Sequence, residues 1–176
     1  MRRVQVEIPV GLGPALRCAS LVFARTHGWP IGALALVALG SGLLGFVVAA
    51  HGIALLALGM TATVVHEFGH LIAYRVAAPN RGAVLECDGL LAALHRAPLA
   101  RRADRAVTAA GPLAPLSLAA VLVPLGGVLP AEAVGAVLIA GSHAMSLALP
   151  TADRLAWRQA GERPTRRGGE SPTLLA

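Results

Sequence analysis

The strongest constraint on this chain is the stretch from Ile31 to Ala50, twenty residues without a formal charge. At 1.5 Å per helical residue it covers about 30 Å, the thickness of the hydrocarbon core of a bilayer. Three further apolar runs follow. One extends from Ile53 to Ala78, after a tight turn expected at His51-Gly52, and is ended by Pro79. Another runs from Ala106 to about Leu129, with Gly111-Pro112 in its first turns and Pro115 and Pro124 further on. The last runs from Ala131 to Leu149 and is broken by Pro150. With 56% hydrophobic and 14% charged residues in 176, the core is expected to be helices facing lipid, in one domain by length. The fold class that follows is an all-α integral membrane protein of about four transmembrane helices.

The second run carries the chemistry. His66-Glu67-Phe68-Gly69-His70 places two imidazoles four residues apart, on nearly one face of a helix, so both can reach one metal ion. Glu67 is turned about 100° away, beside the water such a metal would hold. Neutral imidazoles at this spacing suit Zn2+, and a carboxylate near activated water is the general base of metal-assisted hydrolysis. A His-x-x-x-His pair on a soluble helix is often a surface accident. Inside an apolar span, ionisable residues are costly unless paired or metal-bound, which favours a site.

All 15 basic residues are arginine, and the formal net charge is +6. Four arginines lie in the N-terminal segment, six from Arg75 through the long loop before Ala106, and five in the tail from Arg154. The turns at His51-Gly52 and Pro130 have none. That distribution reads as membrane orientation, with both termini and the long loop in the cytoplasm and basic residues near anionic headgroups. No aromatic-interleaved basic patch points to nucleic acid. The arginine-only, Ala/Gly/Leu/Val-rich composition suggests a GC-rich genome and a bacterial cell membrane. Cys18 and Cys87 alone give no disulfide framework, and Gln5, Glu7 and Arg17 interrupt any cleavable signal sequence.

Residues 1–29 read as a cytoplasmic segment: alternation at Val4, Val6, Ile8 and Val10 predicts a short strand, and Pro14 to His27 a helix lying at the membrane surface. A frayed terminus accounts for the same residues. Residues 30–153 form the four-span core, and 154–176 have the composition of a disordered basic tail. In the long loop, Ala83–Cys87 and Leu90–Leu94 flank Asp88-Gly89, a hairpin signal, although the second run also suits a helical turn. His51 and His95 are expected to be solvated, Glu86, Cys87 and Asp88 to be turn residues, and Glu132 to cap the fourth span. His66, His70, Gly111-Pro112 and Asp153 all fall near the cytoplasmic level of this topology.

With those residues assembled, the chain resembles the site-2 protease family of intramembrane zinc metalloproteases (peptidase M50-like) over roughly residues 53–154. His66-Glu67-Phe68-Gly69-His70 matches that family's His-Glu-x-x-His fully, and Ala110-Gly111-Pro112-Leu113-Ala114 matches its Gly-Pro motif. Leu149-Pro150-Thr151-Ala152-Asp153 matches its Leu-Pro…Asp-Gly motif in part. The resemblance implies His66, His70 and Asp153 as zinc ligands, Glu67 as general base, and Gly111 and Pro112 packed close to the site on the substrate side. The hairpin is then available to pair with an extended substrate segment. Pro115 stands where the family has Asn, Met145-Ser146 where it has another, and Arg154 where it has Gly. Such Asn side chains help stabilise the oxyanion; Ser146 or His143 are the substitutes at hand. His143, at the depth of His66, reads as an alternative ligand, an oxyanion donor, a proton shuttle or an interhelical hydrogen bond.

The expected function is hydrolysis of a peptide bond in a membrane-associated peptide or single-span protein near the cytoplasmic face. Two other readings stay open. One is a zinc-site protein adapted to modify a peptide in a natural-product pathway with a partner membrane protein. The other is a non-catalytic membrane scaffold.

Overall fold

The computed structural model describes residues 3–89, 91–149, 151, 154, 155, 157 and 158. The chain opens with strand β1 (Val4–Ile8), then helix α1 (Leu12–Phe23), a π-helical turn over Ala24–Gly28 and helix α2 (Trp29–Leu43). Helix α3 (Val47–Ala77) follows, then strands β2 (Ala83–Asp88) and β3 (Leu91–Arg96). Helices α4 (Arg101–Leu113) and α5 (Leu116–Leu122), a 3-10 turn at Val123–Leu125 and α6 (Pro130–Met145) complete it. Three helical stretches are long and apolar enough to cross a membrane: Leu12–Leu43, Val47–Ala77 and Arg101–Leu125. Helix α6, at 16 residues, covers about 24 Å and is shorter than a usual span.

Several expected boundaries move. The first span ends at Leu43, and the turn falls at Leu44-Gly45-Phe46 rather than at His51-Gly52. Gly45 takes a φ of +83° there, a conformation that disfavours any side chain. In so apolar a stretch Gly45 looks like its neighbours Gly40 and Gly42, so no polar residue marks the turn. His51 lies inside α3, where its Nδ1 stands 2.7 Å from Glu132 Oε1 of α6. Glu132 stands in the first turn of α6, as expected, and His51, expected to be solvated, pairs with it across two helices while its side chain stays partly exposed. The helix expected at Pro14–His27 exists, but runs on through the π-helical turn into α2 without a break. The third span begins earlier, at Arg101, and the fourth ends at Met145.

The strands form one antiparallel sheet in the order β1-β2-β3. The hairpin is present: Asp88 pairs with Leu91, and Gly89 adopts the φ of +61° that a tight turn needs. Register places Val6, Leu85 and Leu94 side by side on the face packed against the helices. Gln5, Glu86 and Ala93, and beside them Glu7, Val84 and His95, line the other face. Glu86 and Cys87 are therefore strand residues, not turn residues, because the turn lies beyond Asp88. Cys87 is buried on the inner face, where burial pushes its thiol up from the usual range.

Two arginines fasten the sheet to the helices. Arg75, near the end of α3 and 1% exposed, donates to the carbonyls of Ile8 at 2.7 Å and Arg81 at 2.5 Å. Arg96 of β3 pairs with Asp104 and donates to Thr108 Oγ1 at 3.3 Å, both on α4. Tyr74 lies under both guanidinium groups. Away from the sheet, Ala119, Ala136 and Ala140 pack α5 on α6 with Leu58 of α3. Small residues at such a crossing let backbones approach closely.

On the outer face of the sheet, Arg3 and Gln5 each donate to Glu86 Oε2 at 2.8 Å, and His95 Nε2 lies 3.1 Å from the same oxygen. The Arg3 and Gln5 hydrogen bonds hold the Glu86 carboxyl down at about 2. A carboxyl whose pKa is lower in the folded chain stabilises it above the unfolded value, and this is lost as pH falls through the folded value. The difference in thermal midpoint between wild type and Glu86→Gln should therefore be largest near neutral pH. It should vanish as the pH approaches about 2; a thermal melt series across pH measures this.

Candidate functional site

The site is built where α3 crosses α4. At Gly69 the two backbones come so close that a Cβ would lie 2.6 Å from the Ala114 Cβ and nearer still to the Ala110 carbonyl. At Gly111 a Cβ would fall 2.5 Å from His70 Cδ2 and nearer to the rest of the ring. Two glycines thus make room for one histidine between two helices. Pro112, buried inside α4, removes one backbone donor just past this point, and α4 ends at Leu113.

This approach brings the Val107 carbonyl within 2.8 Å of His70 Nδ1. A carbonyl only accepts, so His70 Nδ1 carries the hydrogen and, in the neutral ring, Nε2 presents a lone pair. That Nε2 stands 3.2 Å from Nε2 of His66, one turn earlier on α3. Zinc–nitrogen bonds of 2.0–2.1 Å at a tetrahedral angle hold two nitrogens about 3.3 Å apart. The pair therefore has the separation of two ligands of one such ion. The imidazole nitrogens are also the donor chemistry that zinc takes, and a backbone carbonyl on the opposite ring nitrogen is the usual support of a metal-binding histidine. His66 and His70 fit a metal.

His143, near the end of α6, meets the other side of His66, with the two Nδ1 atoms 3.1 Å apart. Its ring is tilted 49° to that of His66 at a centroid distance of 5.1 Å. Ser146 follows at the C-terminal cap of α6, where its carbonyl accepts from Thr151 Oγ1 at 2.5 Å. Among the described residues no group of three or more His, Cys, Asp or Glu side chains forms a metal-holding cluster. The two nitrogens facing each other come from His66 and His70. Asp153, which the resemblance implies as third ligand, lies outside the described residues, as does most of the 154–176 tail.

Glu67 is buried, 8% exposed, on the α3 face that continues through Leu71 and Tyr74 toward the sheet. On β2, burial raises the Cys87 thiol, and a hydrogen bond with Thr26 acts against that rise. Phe68 packs on Phe23 of α1 at 5.3 Å, and Phe23 on His27 at 5.5 Å. His27 is 1% exposed in the π-helical turn, with its Nδ1 2.8 Å from Thr26 Oγ1. Sequence reasoning passed over His27 as part of a surface helix, since nothing in the pattern marks the π-helical turn. It also could not name Val107, whose contribution is a backbone atom. Pro115 is fully buried and its side chain offers no hydrogen-bond donor.

No family model, curated protein or solved structure matches this chain. The resemblance to the site-2 proteases rests on the residues quoted from the sequence.

The glycine geometry has a direct consequence. Gly69→Ala should destabilise the detergent-purified protein by the roughly 1–3 kcal/mol typical of overpacking or more, seen as a lower thermal midpoint. Gly59→Ala, on the same helix with nothing within 4 Å of the added Cβ, should change stability by no more than about 0.5 kcal/mol.

Proposed function

We propose that this chain is an intramembrane zinc metalloprotease that hydrolyses a peptide bond of a membrane-associated peptide or single-span protein. The cleavage takes place near the cytoplasmic face, in a multi-pass protein with both termini in the cytoplasm. The observation that carries the reading is the 3.2 Å separation of His66 Nε2 and His70 Nε2, with His70 anchored on the Val107 carbonyl. Three further features support it: the resemblance at His66-Glu67-Phe68-Gly69-His70, the Gly111 cradle under His70, and three helical stretches apolar enough for a membrane.

In this reading His66 and His70 hold the ion, with Asp153 as third ligand. Zinc bound there supplies a Lewis acid that polarises a carbonyl and makes water acidic at neutral pH. Glu67, next to His66 on the helix, takes the proton from the attacking water and delivers it to the leaving amine. Peptide bonds are cleaved from an extended backbone, and β3 is an edge of the sheet carrying exposed Leu91. An unwound substrate segment adds there as a further strand.

The test is cleavage of single-span peptides in liposomes by zinc-loaded wild type and Glu67→Gln. Loss of the general base should slow cleavage by roughly 10²–10⁴-fold, while zinc per chain, read by atomic emission, stays unchanged. Cleavage at the wild-type rate in Glu67→Gln overturns the reading.

A further inference from the structure

The end of the bundle away from the histidine pair holds a second polar group in apolar surroundings. His51 lies about four turns of α3 before His66, roughly 22 Å along the helix. Its Nδ1 stands 2.7 Å from Oε1 of Glu132, in the first turn of α6. The other carboxyl oxygen, Oε2, is buried and has no hydrogen-bond partner among the described residues. An ionised carboxyl accepts at both oxygens, and burying one without a donor is costly. The place calls for a donor.

Beside this pair a cavity of about 310 Å³ opens between α2 and α3, with His51 and Glu132 in its lining. Ala38 and Gly42 of α2 and Ala50 and Ala54 of α3 also line it, and their small size leaves the space. Leu39 and Leu43, on the same cavity, are 61% and 80% exposed, so it opens on the apolar outer surface. Apart from His51 and Glu132 its lining is alanine, glycine and leucine. The occupant that matches is an apolar chain carrying one strong donor. Both α2 and α3 belong to stretches long and apolar enough to cross a membrane. At 31 residues α3 covers about 46 Å, more than the roughly 30 Å hydrocarbon core, so His51, one turn from its start, falls at head-group level.

We propose that this groove binds a lipid whose head group ends in a primary ammonium. One of the ammonium N–H groups donates to Glu132 Oε2, and an acyl chain lies over Ala38, Gly42, Ala50 and Ala54. The charge of the head is opposite to that of the carboxylate, and the chain covers the apolar lining. The proposal stands apart from the metal-centre reading, since no atom of the groove belongs to the histidine pair.

The experiment is native mass spectrometry of the detergent-purified full-length protein, titrated with phosphatidylethanolamine or phosphatidylcholine of identical acyl chains. The first head group has three N–H donors and the second, a trimethylammonium, has none. Wild type should bind the ethanolamine lipid about tenfold tighter or more, as a hydrogen bond to a charged group implies. Glu132→Gln should bring the two lipids within about twofold of each other. Ala54→Leu, which fills the groove without touching the carboxyl, should weaken both. Equal affinity of wild type for the two lipids overturns the proposal, and that comparison needs no variant to fold. A preference that survives Glu132→Gln, or wild-type binding of both lipids by Ala54→Leu, overturns it as well. Soluble ethanolamine that displaces the lipid makes this a site for a free amine and overturns it too.

Discussion

The crossing of α3 over α4 sets the terms for the rest of the molecule. At Gly69 and Gly111 there is no room for a Cβ: Gly69 lies against the Ala110 backbone, and Gly111 lies against the ring of His70. That approach brings the Val107 carbonyl to His70 Nδ1. Between larger residues the helices would stand further apart, His70 would lose its anchor, and both ring nitrogens would be open to exchange. The tautomer of a histidine is here a consequence of helix spacing.

Polar groups within the helical bundle are chained rather than scattered, for a simple energetic reason. An unpaired polar or charged group in apolar surroundings is costly, and several on α3 find a partner on another element. Along α3 the partners come in sequence. His51 meets Glu132 near its start, His66 meets His143 further on, His70 meets Val107, and Arg75 meets the carbonyls of Ile8 and Arg81 near its end. Each link ties α3 to a different neighbour or to a different level of the same one. The 31-residue helix is thus the axis to which α4, α6 and the sheet are fastened.

Much of this was legible residue by residue. The four apolar runs, the alternation at Val4, Val6 and Ile8, and the Asp88-Gly89 signal all report local periodicity or local turn chemistry, which a chain expresses without knowing its neighbours. The spacing of His66 and His70 belongs to the same class, since any helix brings such a pair together. Misplaced features had no local signature. The turn at Gly45 sits among equivalent glycines, and the π-helical turn at Ala24–Gly28 has no pattern of its own. His51 reads as solvated until α6 brings Glu132 beside it.

The sequence alone determined that long apolar helices would form, that a small hairpin would interrupt them, and that two imidazoles would share one face. Those outcomes depend on periods of 3.6 and 2 residues and on the conformational freedom of glycine. Only the tertiary structure decided which nitrogens face each other and what supports them. Those are distances between atoms on α3, α4 and α6, elements separated by up to 77 residues in the chain. No period in a sequence encodes such distances; they arise when small residues let helices close to backbone contact.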